Sequence, residues 1–250
     1  MKHVLIKSIC ILTLVFCVGC ATHKPVEGAS VEKASATNPD PWEGFNRSIF
    51  AFNLTVDRWF LKPVAKGYDF VMPDVAQTGV RNFFSNLGEV KNIVNDIFQW
   101  KWKQAGNDTG RLLVNSTLGV AGLFDVASPM GLEQSLGEDT GQTFGRWGFK
   151  RGPYIILPFL GPTTVRDGLG LPFDMWVLSP VAYVDDEATQ TGLVVTNIVQ
   201  QRVDLMALEK LASGDLYTFT RDAYLQRRSY LENDGEVEED YEDEFGGEDF

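Results

Sequence analysis

Residues 43–60, EGFNRSIFAFNLTVDRWF, read as a helix with two apolar stripes instead of one. At about 100° per residue, Phe45, Ile49, Phe52, Val56, Trp59 and Phe60 share one face. Phe50, Leu54 and Leu61 lie near the opposite side. Asn46, Asn53 and Asp57 fill one flank, Arg47 and Arg58 a second, Ser48 and Thr55 a third. A surface helix of a water-soluble domain needs only one apolar stripe. Two readings account for the second. The helix is central and packed on both sides, or one stripe meets protein while Phe50, Leu54 and Leu61 meet lipid, with Arg47 and Arg58 at headgroup level. Long basic side chains suit that depth, because their stems cover apolar surface while the charge stays wet.

A second long helix, 186–212, repeats the pattern. Val194, Ile198, Leu205 and Leu208 form one face, and Val195, Val199 and Met206 another. Helices are further expected at 63–71, 74–86, 90–100, 104–118, 163–169 and 215–232, with a turn or two after Gly122. The best strand-like run, Pro153–Leu160, is bracketed by prolines. The fold class is therefore mainly α, in a single domain. Residues 119–170 hold 11 glycines, about three times average usage, with Pro129, Pro153, Pro158 and Pro162 among them. Such a segment builds short elements joined by sharp turns, because Gly weakens helices and Pro breaks them. A curved wall and an irregular core both fit it.

The chain has 250 residues and a net charge of −12. Residues 232–250 hold 11 of the 34 acids and no base, so composition makes this segment a disordered acidic tail and leaves the body near neutrality. No basic cluster points to nucleic acid as a partner. Cys10, Cys17, Cys20, His3 and His23 all precede Lys24, so the body contains neither Cys nor His. Metal sites with their usual ligands and His-assisted nucleophiles are excluded there, and no cofactor is expected.

Residues 1–19 read as an export signal: Lys2 and Lys7 precede an apolar stretch, Ile9–Val18. Ten apolar residues are too few to cross a bilayer, which takes about 20. Cys17-Val18-Gly19-Cys20 resembles a bacterial lipobox, with Cys17 where Leu is usual. The lipobox implies acylation of Cys20, and Ala21 after it implies the outer membrane. Several chains on one residue make attachment effectively permanent. Residues 20–39 are polar and aperiodic, a flexible tether.

A series of runs then resembles the VacJ/MlaA family of outer-membrane lipoproteins. These are Asp40–Arg47 (DPWEGFNR), Leu61–Ala65 (LKPVA), Asn82–Leu87 (NFFSNL), Arg111–Gly119 (RLLVNSTLG), Gly122–Ala127 (GLFDVA), Glu138–Gly145 (EDTGQTFG), Gly152–Pro158 (GPYIILP) and Gly161–Asp167 (GPTTVRD). They follow in order, and the match covers roughly residues 40–228, within a domain expected over 40–231. The resemblance implies a ring of amphipathic helices in the periplasmic leaflet, around a polar channel. It also implies removal of mislocalised phospholipids from the outer leaflet, a trimeric porin as partner, and delivery to a soluble periplasmic carrier. No enzymatic step is implied. Among the glycine-rich motifs, Arg111, Arg146, Lys150, Arg151 and Arg166 are candidate headgroup contacts, since guanidinium forks suit phosphate. Arg166 and Asp167 also make a plausible structural ion pair. Two rival classes stand beside transport: a passive porin-associated scaffold, and a lipid-anchored hydrolase using Asp125, Glu138, Asp139 and Asp167.

Overall fold

The computed structural model describes residues 38–209 and 214–236. The export signal, Cys20, nearly all of the tether and residues 237–250 lie outside the described residues. Among the described residues there are eight α-helices and one hairpin: α1 (Glu43–Val56), α2 (Lys62–Val71), α3 (Asp74–Phe98), α4 (Trp102–Thr117), α5 (Thr140–Arg146), β1 (Tyr154–Leu157), β2 (Gly161–Thr164), α6 (Val165–Pro172), α7 (Glu187–Glu209) and α8 (Leu216–Glu232).

Three expectations change. The first two predicted helices are one continuous rod, because a π-helical segment, Asp57–Leu61, bridges α1 to α2. Pro63 lacks an N–H and crowds the carbonyl four residues back, which should break the helix. The wider π turn absorbs it, with the Lys62 N–H donating to Asp57 O, five residues back. Residues 74–86 and 90–100 are likewise one helix, α3, which runs through Gly88. Residues 140–146 form α5, which the glycines concealed; Asp139 caps it, accepting from the Gln142 N–H at 2.8 Å.

Packing partners form a closed circuit. The α1–α2 rod packs by α2 on α7; α7 packs on α3, α3 on α5, α5 on α8, α8 on β2, and β1 returns to α1. The polar flank of α1 makes the last contact. Asn46 donates to Tyr154 O at 3.1 Å and accepts from the Ile156 N–H at 2.9 Å. One turn-pair later, Asn53 donates to Leu157 O and accepts from the Phe159 N–H. Two side-chain amides thus stand in for a third strand, and they satisfy the edge of a hairpin that would otherwise bury unpaired groups. Asp57 extends the flank to α7 through a paired contact with Arg202 at 2.6 and 2.9 Å.

The apolar core is small: Tyr154, Ile156 and Tyr217, with Ile49, Phe50, Tyr224 and Leu225 against them. Where α5 crosses α6 there is no room for side chains at all. A Cβ on Gly170 would lie 2.8 Å from Gly141 N, and one on Gly141 would meet Asp167 and Arg228. The glycines allow backbone contact there.

Candidate functional site

Burial in this body is inverted. Seven hydrophobic residues are buried among the described residues, three of them alanines, against twenty-three polar or charged ones. All six tryptophans are exposed, from 45% at Trp42 to 73% at Trp100. Phe70 is 92% exposed. Tryptophan in a water-soluble fold is highly buried on average, and large exposed apolar patches mark contact surfaces. No helix among the described residues is long and apolar enough to cross a membrane.

A half-open pocket of about 420 Å³, with polar and apolar walls, lies between α3, α7 and residues 174–181. Arg81, Ser85, Gly88 and Lys91 reach it from α3 at helical spacing, and Asn197, Gln200 and Asp204 from α7. A chain of bonds crosses its wall. Tyr68 donates to Gln200 at 2.8 Å, Gln200 donates to Asp204 at 3.1 Å, and Arg81 stands 3.7 Å from Asp204. Asp174 accepts from the Thr140 N–H and hydroxyl. Burial pushes its carboxyl above the ordinary range, opposed by the nearby Lys91 charge. Phe84, Leu87, Leu178 and Val181 give the same cavity an apolar side. It is amphipathic.

The residues expected at a headgroup site divide differently. Arg111 is buried and spent on Glu89 at 3.0 Å, Ser128 and Leu132 O. Arg166 is buried against Asp167 at 2.7 Å and also bonds Glu232. Arg151 pairs with Glu232 at 2.7 Å. Arg146 and Lys150 are exposed beside Trp147 and Phe149. None of the five lines the cavity. Its cations, Arg81 and Lys91, sit outside the glycine-rich motifs, and helical periodicity in α3 was the signal that could have found them. Glu232 and Asp234, assigned by composition to the acidic tail, belong to the folded body; Asp234 bonds Lys101.

The outward stripe of α1 also differs from expectation. Phe45, Phe52, Trp59 and Phe60 are exposed. Phe50 is half-buried, edge-on to Tyr217 at 5.6 Å, and Leu54 and Leu61 are half-buried too. Arg47 bonds Glu43 and Asp215, with its guanidinium 4.3 Å above the Tyr217 ring. Arg58 is exposed. On α7, Val194, Val195, Ile198, Leu205 and Leu208 point out while Gln200 is buried.

The four carboxylates of a hydrolase are all engaged. Asp125 accepts from Ser128 and Asn115, Glu138 from Lys101 and Gln99, Asp139 from Arg228, and Asp167 from Arg166, Arg228 and Tyr224. Burial alone would raise Asp139, but the Arg228 fork and the Gln142 amide outweigh it and hold the carboxyl at about 2. That value unfits it to donate a proton near neutrality.

One acid is poised otherwise. Asp96 on α3 is fully buried beside Asp108 on α4, and neither oxygen of Asp96 has a donor among the described residues. Burial and the charges of Asp108 and Glu138 push it up to about 8. Two facing acceptors need a shared proton. The folded state therefore binds this proton more tightly than the unfolded chain, whose carboxyl titrates near 4. This contribution to stability is complete below about pH 4 and is lost as pH rises towards 8. Asp96→Asn, which supplies a permanent donor, is expected to raise the melting temperature at pH 8 by several degrees and hardly at all at pH 4. Calorimetry of purified protein at both pH values checks it, and an equal change at both would contradict the pairing.

The MlaA lipoprotein family matches residues 38–231. The intermembrane phospholipid transport system lipoprotein MlaA of Shigella flexneri is 34% identical, over 79% of this chain and 80% of its own. Its Escherichia coli K12 counterpart is 32% identical over the same shares. An uncharacterised Rickettsia typhi protein is 32% identical over 82% of this chain and 80% of its own. A solved structure, described as the structural basis for maintenance of bacterial outer membrane lipid asymmetry, superposes with a TM-score of 0.67. It is 32% identical, covering 78% of this chain and 99% of that one. With the motif runs, the closed helical circuit and these matches in agreement, the chain belongs to the MlaA lipoprotein family.

Proposed function

We propose that this protein, anchored through acylated Cys20 in the periplasmic leaflet of the outer membrane, removes mislocalised phospholipids from the outer leaflet. The lipids pass through its polar interior to a soluble periplasmic carrier, and the protein works beside a trimeric porin. The observation that carries the reading is the inversion of burial, an aromatic exterior over a largely polar interior, together with an amphipathic pocket. The MlaA relatives' name, intermembrane phospholipid transport system lipoprotein, supports it.

Moving a charged headgroup through hydrocarbon without partners costs many kcal/mol. A cavity with donors and acceptors lowers that cost, while the acyl chains keep apolar contact. The exposed runs Arg58-Trp59-Phe60 and Arg146–Lys150 (RWGFK) suit the headgroup level, where tryptophan rings and basic side chains settle. Chemistry is not required, and each of Asp125, Glu138, Asp139 and Asp167 already holds a structural bond.

Deletion of the gene, followed by labelling of surface-exposed phospholipid in whole cells, tests the reading. Outer-leaflet phospholipid is expected to rise several-fold, with new sensitivity to detergents. Complementation with Cys20→Ala should not restore either. Unchanged surface phospholipid in the deletion strain would leave only a scaffold.

A further inference from the structure

We propose that Lys91 is the phosphodiester contact of the cavity, holding the phosphate of a glycerophospholipid headgroup during passage; the inference rests on the transport reading above. Every other basic side chain among the described residues is either exposed or has a carboxylate within 4 Å. Lys91 is half-buried and has none. A cation partly screened from water is usually paired or hydrogen-bonded in folded proteins. Here the unpaired ammonium borders a cavity of about 420 Å³.

The surroundings define what fits. Across the cavity Asp174 is committed to Thr140, and on α7 Gln200 and Asp204 are committed to Tyr68 and to each other. Arg81, two to three helical turns before Lys91 on the same stripe, is only loosely matched to Asp204 at 3.7 Å. The cavity thus offers one ammonium with no carboxylate in contact and one loosely paired guanidinium, beside the two carboxylates Asp174 and Asp204 that already accept hydrogen bonds. An anion is the complementary guest. Phe84, Leu87, Leu178 and Val181 extend the same lining with apolar surface, which a phosphodiester bearing acyl chains uses and a free phosphate does not.

The test uses full-length protein in detergent, titrated with dihexanoylphosphatidylethanolamine and dihexanoylphosphatidylglycerol, with inorganic phosphate as competitor. Lys91→Gln breaks no ion pair and should fold as the parent does, which circular dichroism verifies. It is expected to weaken both lipids about tenfold or more, in line with loss of a charge-assisted bond. Lys91→Arg should stay within about threefold of the parent. Arg227→Gln, exposed on α8, should bind as the parent does. Inorganic phosphate at millimolar concentration should not displace lipid. Parent and Lys91→Gln binding lipid equally would overturn this assignment while leaving transport intact. A parent that binds no lipid would instead overturn the transport reading. Lysine-dependent binding of inorganic phosphate as tight as that of lipid would make the site one for free phosphate and overturn the lipid assignment.

Discussion

Replacing Arg228 with alanine is expected to cost about 3–5 kcal/mol and to lower the melting temperature by roughly 6–20 °C. Arg228 on α8 is buried and binds Asp139 through both ends of its guanidinium, with 2.8 Å to Oδ1. It also donates to Asp167 on α6 at 3.0 Å, which Tyr224 contacts from the next turn of α8. Asp139 in turn caps α5. One side chain thus closes the circuit where α5, α6 and α8 meet. Truncation would strand two poorly solvated carboxylates around the remaining Arg166. Arg228→Lys keeps the charge but loses the planar fork, so it should fall between the two. Thermal unfolding followed by circular dichroism decides the matter; a melting temperature within a degree of the parent would remove the network from the account.

Gly88→Trp is expected to abolish lipid removal without unfolding the protein. Gly88 lines the cavity from the middle of α3, and a Cβ built there meets nothing within 4 Å. Any residue other than Gly or Pro is a better helix former than Gly, by up to about 1 kcal/mol, so the helix should not suffer. The indole would project into the space a headgroup needs. Cells carrying this variant should accumulate surface phospholipid like the deletion strain, while the protein is made at parental levels and melts no lower. Normal surface lipid together with a filled cavity would show that lipids take another route, or none.

Much of the fold could be read from residues alone. Two-striped helices at 43–60 and 186–212 showed that these elements carry more apolar surface than one packed face uses, and Phe45, Phe52, Trp59, Val194 and Ile198 are indeed exposed; the flank of Asn46, Asn53 and Asp57 became the seam to β1 and α7. The direction of the stripes could not be read, because an inverted ring removes the usual rule that the apolar face points inward. Phe50 therefore packs on Tyr217 while Trp59 and Phe60 face out. Partners distant in sequence hid the fate of the arginines: Glu232 lies 81 residues from Arg151, and Asp139 lies 89 from Arg228. The β2 strand, GPTT, has no alternation to betray it and exists by pairing with β1. Lys91 stands in an ordinary helical stretch, where its place on one stripe with Arg81, Ser85 and Gly88 is the sole sequence signal of the cavity beside it.

Tryptophan quenching in reconstituted bilayers probes the inverted architecture most directly. With the full-length lipoprotein in vesicles, lipids brominated on the acyl chains should strongly quench the fluorescence of the six tryptophans, while aqueous iodide quenches little. Strong quenching by iodide together with none by brominated lipid would mean that the aromatic exterior faces water, and the lipid-embedded ring would have to be abandoned.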